Sequence, residues 1–245
     1  MRRVLLGSLV ALVATAAVSH AFELLRVNNN PCARGDQHLF WRGATVPVAI
    51  GLLPEPERGL ADEARRRWNN SLRSFHFGTA GNSAPCARDG IATMVLADTP
   101  CGLADFGDAL AITRSVWQAD GTLVDADVTF NDNTFILDDP SAFLEVAMHE
   151  LGHVLGLDHS DACGANGVGT LMESHLTPPR LEAPQGDDIA GAEAIYPVGG
   201  GGGGGGGGVP EGANSCAIVP AAGPAAWPLV GALLLLAVRR RQSSH

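Results

Sequence analysis

Short runs rich in apolar and β-branched residues recur along the first half of the chain, and they predict β-strands. Turn-forming residues separate the last two of these runs, which favours a hairpin between them. Pro47 cannot donate to a strand ladder, so the first run is expected to be imperfect or to lie near a sheet edge. The candidate strands cover residues 44–50, 72–77, 91–97, 109–116 and 123–131.

Two stretches have the spacing of amphipathic helices. In residues 60–72 an apolar residue recurs every fourth position, which places these side chains on one helix face. A second helix is predicted from residue 140 onward, because Asp139 offers an N-cap and Pro140 suits the first helical position. Its apolar side consists of Phe143, Val146, Ala147, Leu151, Val154 and Leu155.

The N-terminus has the pattern of a secretory signal peptide. Met1-Arg2-Arg3 precedes an apolar run over residues 4–18, and Ser19-His20-Ala21 fits a cleavage site of small residues. An uncleaved anchor is the alternative, but the run is short for a membrane span. We therefore expect residues 1–21 to be removed on export.

The C-terminal part predicts a tether followed by an anchor. Residues 199–208 are all glycine, so residues 199–215 are expected to form a flexible linker. The tail over residues 216–245 begins with Cys216, continues with 22 uncharged residues and then reaches Arg239–Arg241. An apolar stretch of that length can cross a bilayer, with the arginines on the cytoplasmic side. The three prolines within it disfavour a permanent helix.

Between these ends, residues 22–198 are long enough for one domain, which we expect to be a monomer. The whole chain has 26 acidic and 16 basic residues, a net charge of −10, and no lysine. A nucleic-acid partner is therefore not expected, because neutralising phosphates requires a basic face.

Four cysteines fall within this domain, an even count that in an exported chain predicts two disulfides. Three pairings are possible, and the sequence does not choose between them. Cys86–Cys101 closes the shortest loop and is favoured, which leaves Cys32–Cys163. A metal site built from cysteines is the competing interpretation, but no CxxC spacing supports it.

The most informative motif is His-Glu-Leu-Gly-His-Val-Leu-Gly-Leu-Asp-His, which starts at His149. His149 and His153 lie one helical turn apart and can hold one ion, beside which Glu150 can reach a bound water. Gly156 lets the chain leave the helix in a left-handed conformation and bring back His159. Three imidazoles with an open position predict a catalytic zinc site. The alternative interpretation is that these are ordinary histidines of a helix. That interpretation is disfavoured because five specified positions in eleven residues would have to match the motif by chance.

This motif resembles that of metzincin zinc endopeptidases, and Ser160 after the third histidine resembles the matrixin type. Thr170-Leu171-Met172-Glu173 looks like the Met-turn beneath the zinc, although a lone methionine is more often core filler. Residues 126–131 look like the strand before the active-site helix, and residues 186–196 look like the closing helix. The likeness covers about residues 40–197.

The resemblance implies an α+β fold: a twisted, mixed five-stranded sheet, the active-site helix, the Met-turn and the closing helix. It implies an exported, zinc-dependent endopeptidase that acts on extended polypeptides. His149, His153 and His159 would be the zinc ligands, and Glu150 would be the general base. The strand over residues 109–116 would be an antiparallel edge strand lining the cleft, to which a substrate can add as a further strand.

The chain departs from animal matrixins where these hold a second, structural zinc. Ile112, Thr129 and Asn131 stand at the corresponding positions and cannot form that site, so one zinc ion is expected. Several aspartates could bind calcium, but no EF-hand spacing is present and turn or cap roles are favoured.

The C-terminal pattern resembles bacterial sorting tails of the MYXO-CTERM kind. Either a sorting tail or a simple anchor places the enzyme at the cell surface or envelope, with release outside the cell as a further outcome.

A rival hypothesis is a catalytically inactive surface-binding module that keeps the zinc fold. Such proteins typically lose the glutamate or a ligand. Here Glu150 and all three histidines are present, which favours the enzyme.

Overall fold

A computed structural model describes residues 22–33, 35–164, 169–199 and 212–220. Its helices are α1 (Glu57–Ser71), α2 (Pro140–Leu155) and α3 (Gly186–Ile195), with a short 3-10 helix at Phe135–Leu137. Its strands are β1 (Glu23–Leu24), β2 (Thr45–Ala49), β3 (His76–Thr79), β4 (Ala92–Ala97), β5 (Ala111–Trp117), β6 (Leu123–Asn131), β7 (Leu157–Asp158), β8 (His175–Leu176) and β9 (Gly212–Pro220).

The main sheet has the strand order β3-β2-β4-β6-β5-β9-β8. Strands β3, β2, β4 and β6 are parallel, and β5 runs antiparallel to β6, so the predicted mixed five-stranded sheet is confirmed. Strand β9 pairs antiparallel with the other side of β5, and β8 pairs parallel with β9. The expectation that β5 would be an open edge strand is therefore wrong for this structure.

The boundaries of α2 follow from local chemistry, as the sequence predicts. The Asp139 carboxylate accepts hydrogen bonds from the backbone N–H groups of Ser141 and Ala142, at 3.1 and 3.2 Å. Pro140 is the first helical residue, where a backbone N–H is not needed. The helix ends at Leu155, and the residue that caps it, Gly156, has a φ of 108°. A Cβ there would lie 2.7 Å from the Leu39 carbonyl oxygen, so the turn that follows requires glycine.

Two buried tryptophans fix α2 in the core. The Trp68 indole N–H on α1 donates to the Met148 carbonyl at 2.7 Å, and the Trp41 indole N–H donates to the Val154 carbonyl at 2.6 Å. Both carbonyls belong to α2, so each tryptophan adds a directional bond to its apolar contacts.

The predicted boundaries around α1 differ from those observed. The helix begins at Glu57, not at residue 60, and the following strand starts at His76, not at residue 72. The Leu72 backbone N–H still bonds the Trp68 carbonyl at 3.0 Å, so this residue closes the helix and does not open a strand.

The disulfides are Cys32–Cys163 and Cys86–Cys101, which confirms the favoured pairing. In the described part of the chain, no helix is long and apolar enough to cross a membrane. The predicted signal peptide, the glycines over residues 200–208 and Arg239–Arg241 lie outside the described residues. Residues 212–220, assigned from the sequence to linker and tail, form β9.

Candidate metal centre and cleft

Three histidine side chains meet where α2 gives way to the turn after it. His149 and His153 are fully buried on α2, and His159 follows β7. One nitrogen from each ring lies within 4.8 Å of the other two. Within the described ranges this is the only cluster of at least three histidine, cysteine or acidic residues close enough to hold a metal ion. The structure thus brings together the three predicted ligands.

Backbone carbonyls orient two of these rings. His149 Nδ1 lies 2.7 Å from the Leu171 carbonyl oxygen, and His153 Nδ1 lies 2.9 Å from the Leu157 carbonyl oxygen. Because a carbonyl only accepts, each Nδ1 carries the hydrogen and each Nε2 keeps a lone pair. Both Nε2 atoms are buried without a hydrogen-bond partner. This is the arrangement that a metal ligand requires, with the other ring nitrogen held by a carbonyl.

Burial also keeps these rings neutral. It lowers the pKa of His149 to about 3, helped by repulsion from His159, and it lowers the pKa of His153 well below its usual value. Neutral imidazole is the form that binds a metal ion, so a zinc ion fits this donor set.

Glu150 lies beside the histidines and is fully buried. The Thr113 hydroxyl, on β5, donates to Glu150 Oε2 at 2.5 Å. Burial raises the pKa of Glu150 to about 8, and the hydrogen bond from Thr113 opposes that rise. Thr113 falls within a run that the sequence placed at the cleft, but sequence reasoning missed its contact with the glutamate.

The segment with Met172 packs beneath the histidines. The Ser160 backbone N–H donates to the Met172 carbonyl at 2.8 Å, which ties the segment to the residue after His159. A Cβ on Gly152 would lie 2.3 Å from Met172 Sδ. The glycine inside the histidine motif therefore makes room for the methionine.

Asp188 on α3 holds this segment in place, and sequence reasoning missed it. Its buried carboxylate accepts backbone hydrogen bonds from Leu171 at 3.0 Å, Met172 at 3.2 Å and Gln185 at 2.7 Å. Burial raises the pKa of Asp188 to about 6, against the effect of these three bonds. The available signal was its place in the first turn of the closing helix, where it forms a capping box with Gln185.

A pocket opens beside the histidines, and β9 reaches into it. Its walls include Leu171, Leu176, Pro178 and Leu181, and the buried Ile218 of β9 lines it as well. Glu145 also lines the pocket, and its Oε2 lies 3.9 Å from Arg180 Nη1. Glu145 is buried, and this burial raises its pKa to about 7.

The model of the matrixin peptidase family matches residues 69–197. This match spans more than half of the chain and contains the histidine cluster, Glu150 and Met172. The chain belongs to the matrixin family. As a matrixin it is a zinc metallopeptidase with polypeptides as its substrate class. Comparison with the curated proteins gives no match. Strand β9 lies beyond the matched region, so the family likeness did not foresee it.

Proposed function

We propose that this matrixin is a zinc endopeptidase in which His149, His153 and His159 hold the catalytic ion and Glu150 is the general base. The observation that carries the proposal is the pair of buried Nε2 atoms on His149 and His153, which have no hydrogen-bond partner and lie beside the third ring. Such atoms are costly to bury unless a ligand uses their lone pairs.

The chemistry divides between the ion and the protein. A zinc ion held there would lower the pKa of a bound water and would polarise a carbonyl group. Glu150 takes the proton from the attacking water and delivers it to the nitrogen of the departing amine. Thr113 positions the carboxylate through the bond to Oε2. A polypeptide binds in extended form, as a strand added to β5.

The environment of the enzyme is also part of the proposal. The signal-peptide pattern of residues 1–21 supports export, and two disulfides suit an oxidising compartment. The tail over residues 216–245 supports attachment to the cell envelope, either as an anchor or as a sorting signal of the MYXO-CTERM kind, with release as the later fate. A monomer with one catalytic zinc ion is proposed, and calcium binding by the aspartates is the less supported addition.

The inactive surface-binding module remains a second candidate because β9 fills the groove beside Glu150. A groove that the chain always fills would bind no substrate. Hydrolysis of an added peptide by the full chain separates the two candidates.

The direct test removes and restores the metal. We expect chelation of the full chain to abolish hydrolysis of added peptides, and stoichiometric zinc to restore it. His153→Ala should lose both zinc and activity. His76→Ala is the matched control, because His76 is exposed on β3 and lies outside the cluster. If the folded chain with zinc bound cleaves no peptide under any condition, the proposal is wrong.

A further inference from the structure

Strand β9 lies in the cleft in the manner of a bound peptide. It is hydrogen-bonded along one side to β5 and along the other to β8, so both of its edges are in use. The Leu110 backbone N–H donates to the Ile218 carbonyl at 2.8 Å, and the Val219 N–H donates to the Ser174 carbonyl at 3.0 Å. Both bonds are made by the peptide group that joins Ile218 to Val219, so they hold the chain directly after Ile218.

The side chain of Ile218 is held as firmly as its backbone. It is 2 % exposed and lines the pocket beside the histidines, among Leu171, Leu176 and Leu181. A branched aliphatic side chain matches these apolar walls. The pocket therefore fixes the position of β9 along the cleft.

The clamped register places one peptide bond at Glu150. Cys216 is opposite Thr113, the residue whose hydroxyl bonds the Glu150 carboxylate. Two residues later, the Ile218 carbonyl accepts the hydrogen bond from Leu110, and the Ile218 side chain fills the pocket. The Ala217–Ile218 bond thus lies between the residue opposite Thr113, which bonds Glu150, and the side chain that fills the pocket. A general base at this position can deliver a proton to the departing amine.

We propose that this matrixin cuts its own tail by hydrolysing the Ala217–Ile218 peptide bond while β9 lies in the cleft. The inference rests on the proposed function, since it uses the same metal site and the same base. It adds the first substrate, which is a segment of the chain itself.

The reaction consumes one water molecule. The bond from the Ala217 carbonyl carbon to the Ile218 nitrogen breaks, and a bond from that carbon to the water oxygen forms. Glu150 takes one proton from the water and passes it to the Ile218 nitrogen, which leaves as a new amino terminus. The carboxylic acid formed on Ala217 gives its remaining proton to the new amine. The products are a carboxylate and an ammonium group, so atoms and charges balance without a further reactant.

The cut has a consequence for where the enzyme acts. The fragment that leaves, residues 218–245, contains the apolar stretch and Arg239–Arg241. The catalytic domain would separate from the anchoring part of the tail, and the pocket that Ile218 fills would open to other substrates. A single cut would thus release the catalytic domain from its anchor and free its cleft for other substrates.

The test uses the full zinc-replete chain and follows its mass with time. We expect fragments that end at Ala217 and begin at Ile218, formed at a rate independent of protein concentration. Glu150→Gln should stay intact. Ile218→Asp places a charge in an apolar pocket and should slow the cut at least about tenfold. Ser215→Ala, in the same strand but three residues before Ile218, is the matched control and should be cut at the wild-type rate.

Each other outcome counts against the proposal. A chain that hydrolyses added peptides but keeps its tail intact overturns self-cleavage and leaves the proposed function standing. A cut at another bond, or a rate that rises with protein concentration, also overturns it. If neither the tail nor an added peptide is cut, the proposed function itself fails. If Ile218→Asp misfolds, Ile218→Ser serves in its place, with folding checked by circular dichroism.

Discussion

At the scale of single residues, the geometry of the histidine cluster depends on groups that touch no metal. The Leu171 carbonyl orients His149, and the Asp188 carboxylate holds the Leu171 N–H. A chain of two hydrogen bonds therefore connects α3 to a proposed zinc ligand. Because supporting partners of this kind set ring orientation, we expect their loss to weaken metal binding.

Asp188→Ala tests this connection. The change leaves three N–H groups without their acceptor, two of them buried, and each buried unsatisfied group typically costs about 1–3 kcal/mol. We expect at least about 2 kcal/mol of lost stability in urea unfolding. Weaker zinc binding should appear in competition with a chelator. Asp188→Asn keeps an acceptor oxygen and should lose less of both. Equal effects from the two variants would contradict the role given to the carboxylate.

Gly152 and Met172 offer a second test at this scale. Gly152→Ala puts a Cβ 2.3 Å from Met172 Sδ, an overpacking that typically costs about 1–3 kcal/mol and outweighs the helix preference for alanine. Met172→Leu conserves volume and should cost under about 1.5 kcal/mol with activity kept. Urea unfolding and peptide hydrolysis measure both. Zinc loss from folded Met172→Leu would instead mean that the sulfur has a specific role.

At the scale of elements, sequence reasoning succeeded where the signals are local. Both ends of α2 could be predicted from the sequence, because the residues that determine them lie within one turn of each end. These residues are Asp139 and Pro140 at the start and Gly156 at the end. Strand β9 was missed because its pairing with β5 joins residues about a hundred positions apart. The segment follows a glycine run, and its sequence shows no clear alternation of apolar and polar residues. It was therefore predicted to be linker and tail.

Asp125 on strand β6 makes the stability of the fold depend on pH. Burial and repulsion from Asp127 and Asp89 raise the pKa of Asp125 to about 7, against an ordinary value of 3.8. Because the folded-state pKa is the higher one, the carboxyl stabilises the fold while protonated, and stability falls as the pH rises through about 7. The free energy of unfolding should therefore decrease between pH 5 and pH 8.

Asp125→Asn should make that decrease less steep, while Glu145 and Asp188, whose pKa values are also raised, keep their contribution to it. The amide keeps an acceptor for the Gly90 N–H, which bonds Asp125 Oδ1 at 3.3 Å, but it carries no charge. At pH 8 we expect the variant to be more stable than the wild type by on the order of 1 kcal/mol, once solvent screening is allowed for. Asp132→Asn, at an exposed site, is the control. An unchanged slope for Asp125→Asn would show that this carboxyl does not govern the dependence.

At the scale of the whole molecule, the five-stranded sheet and the disulfides agree with the sequence, and the occupied cleft does not. The motif spacing predicted the histidine cluster, and the family resemblance supplied the Met-turn and the closing helix. It could not supply Thr113 or Asp188, since both act through contacts that only the folded chain creates. The tail was treated as an addition to the domain, whereas β9 completes the sheet at the proposed substrate-binding edge of β5.

A shortened chain tests whether β9 blocks the cleft. Ending the protein at Val198 keeps the histidine cluster, the Met-turn segment and α3, and it removes β9. We expect this form to be soluble and to hydrolyse added peptides without delay. The full chain should show a lag that ends as its tail is cut. A shortened chain that is folded by circular dichroism yet inactive would mean that the tail contributes to the site.

The most direct measurement of the central claim compares Glu150→Gln with the wild type for zinc content and for turnover of an added peptide. The amide has the shape of the carboxylate and can still accept the Thr113 hydroxyl, but it cannot take a proton from water. The account predicts full zinc content and a fall in turnover of about 10²–10⁴-fold, the usual contribution of a general base. Near-normal turnover with zinc bound would contradict it.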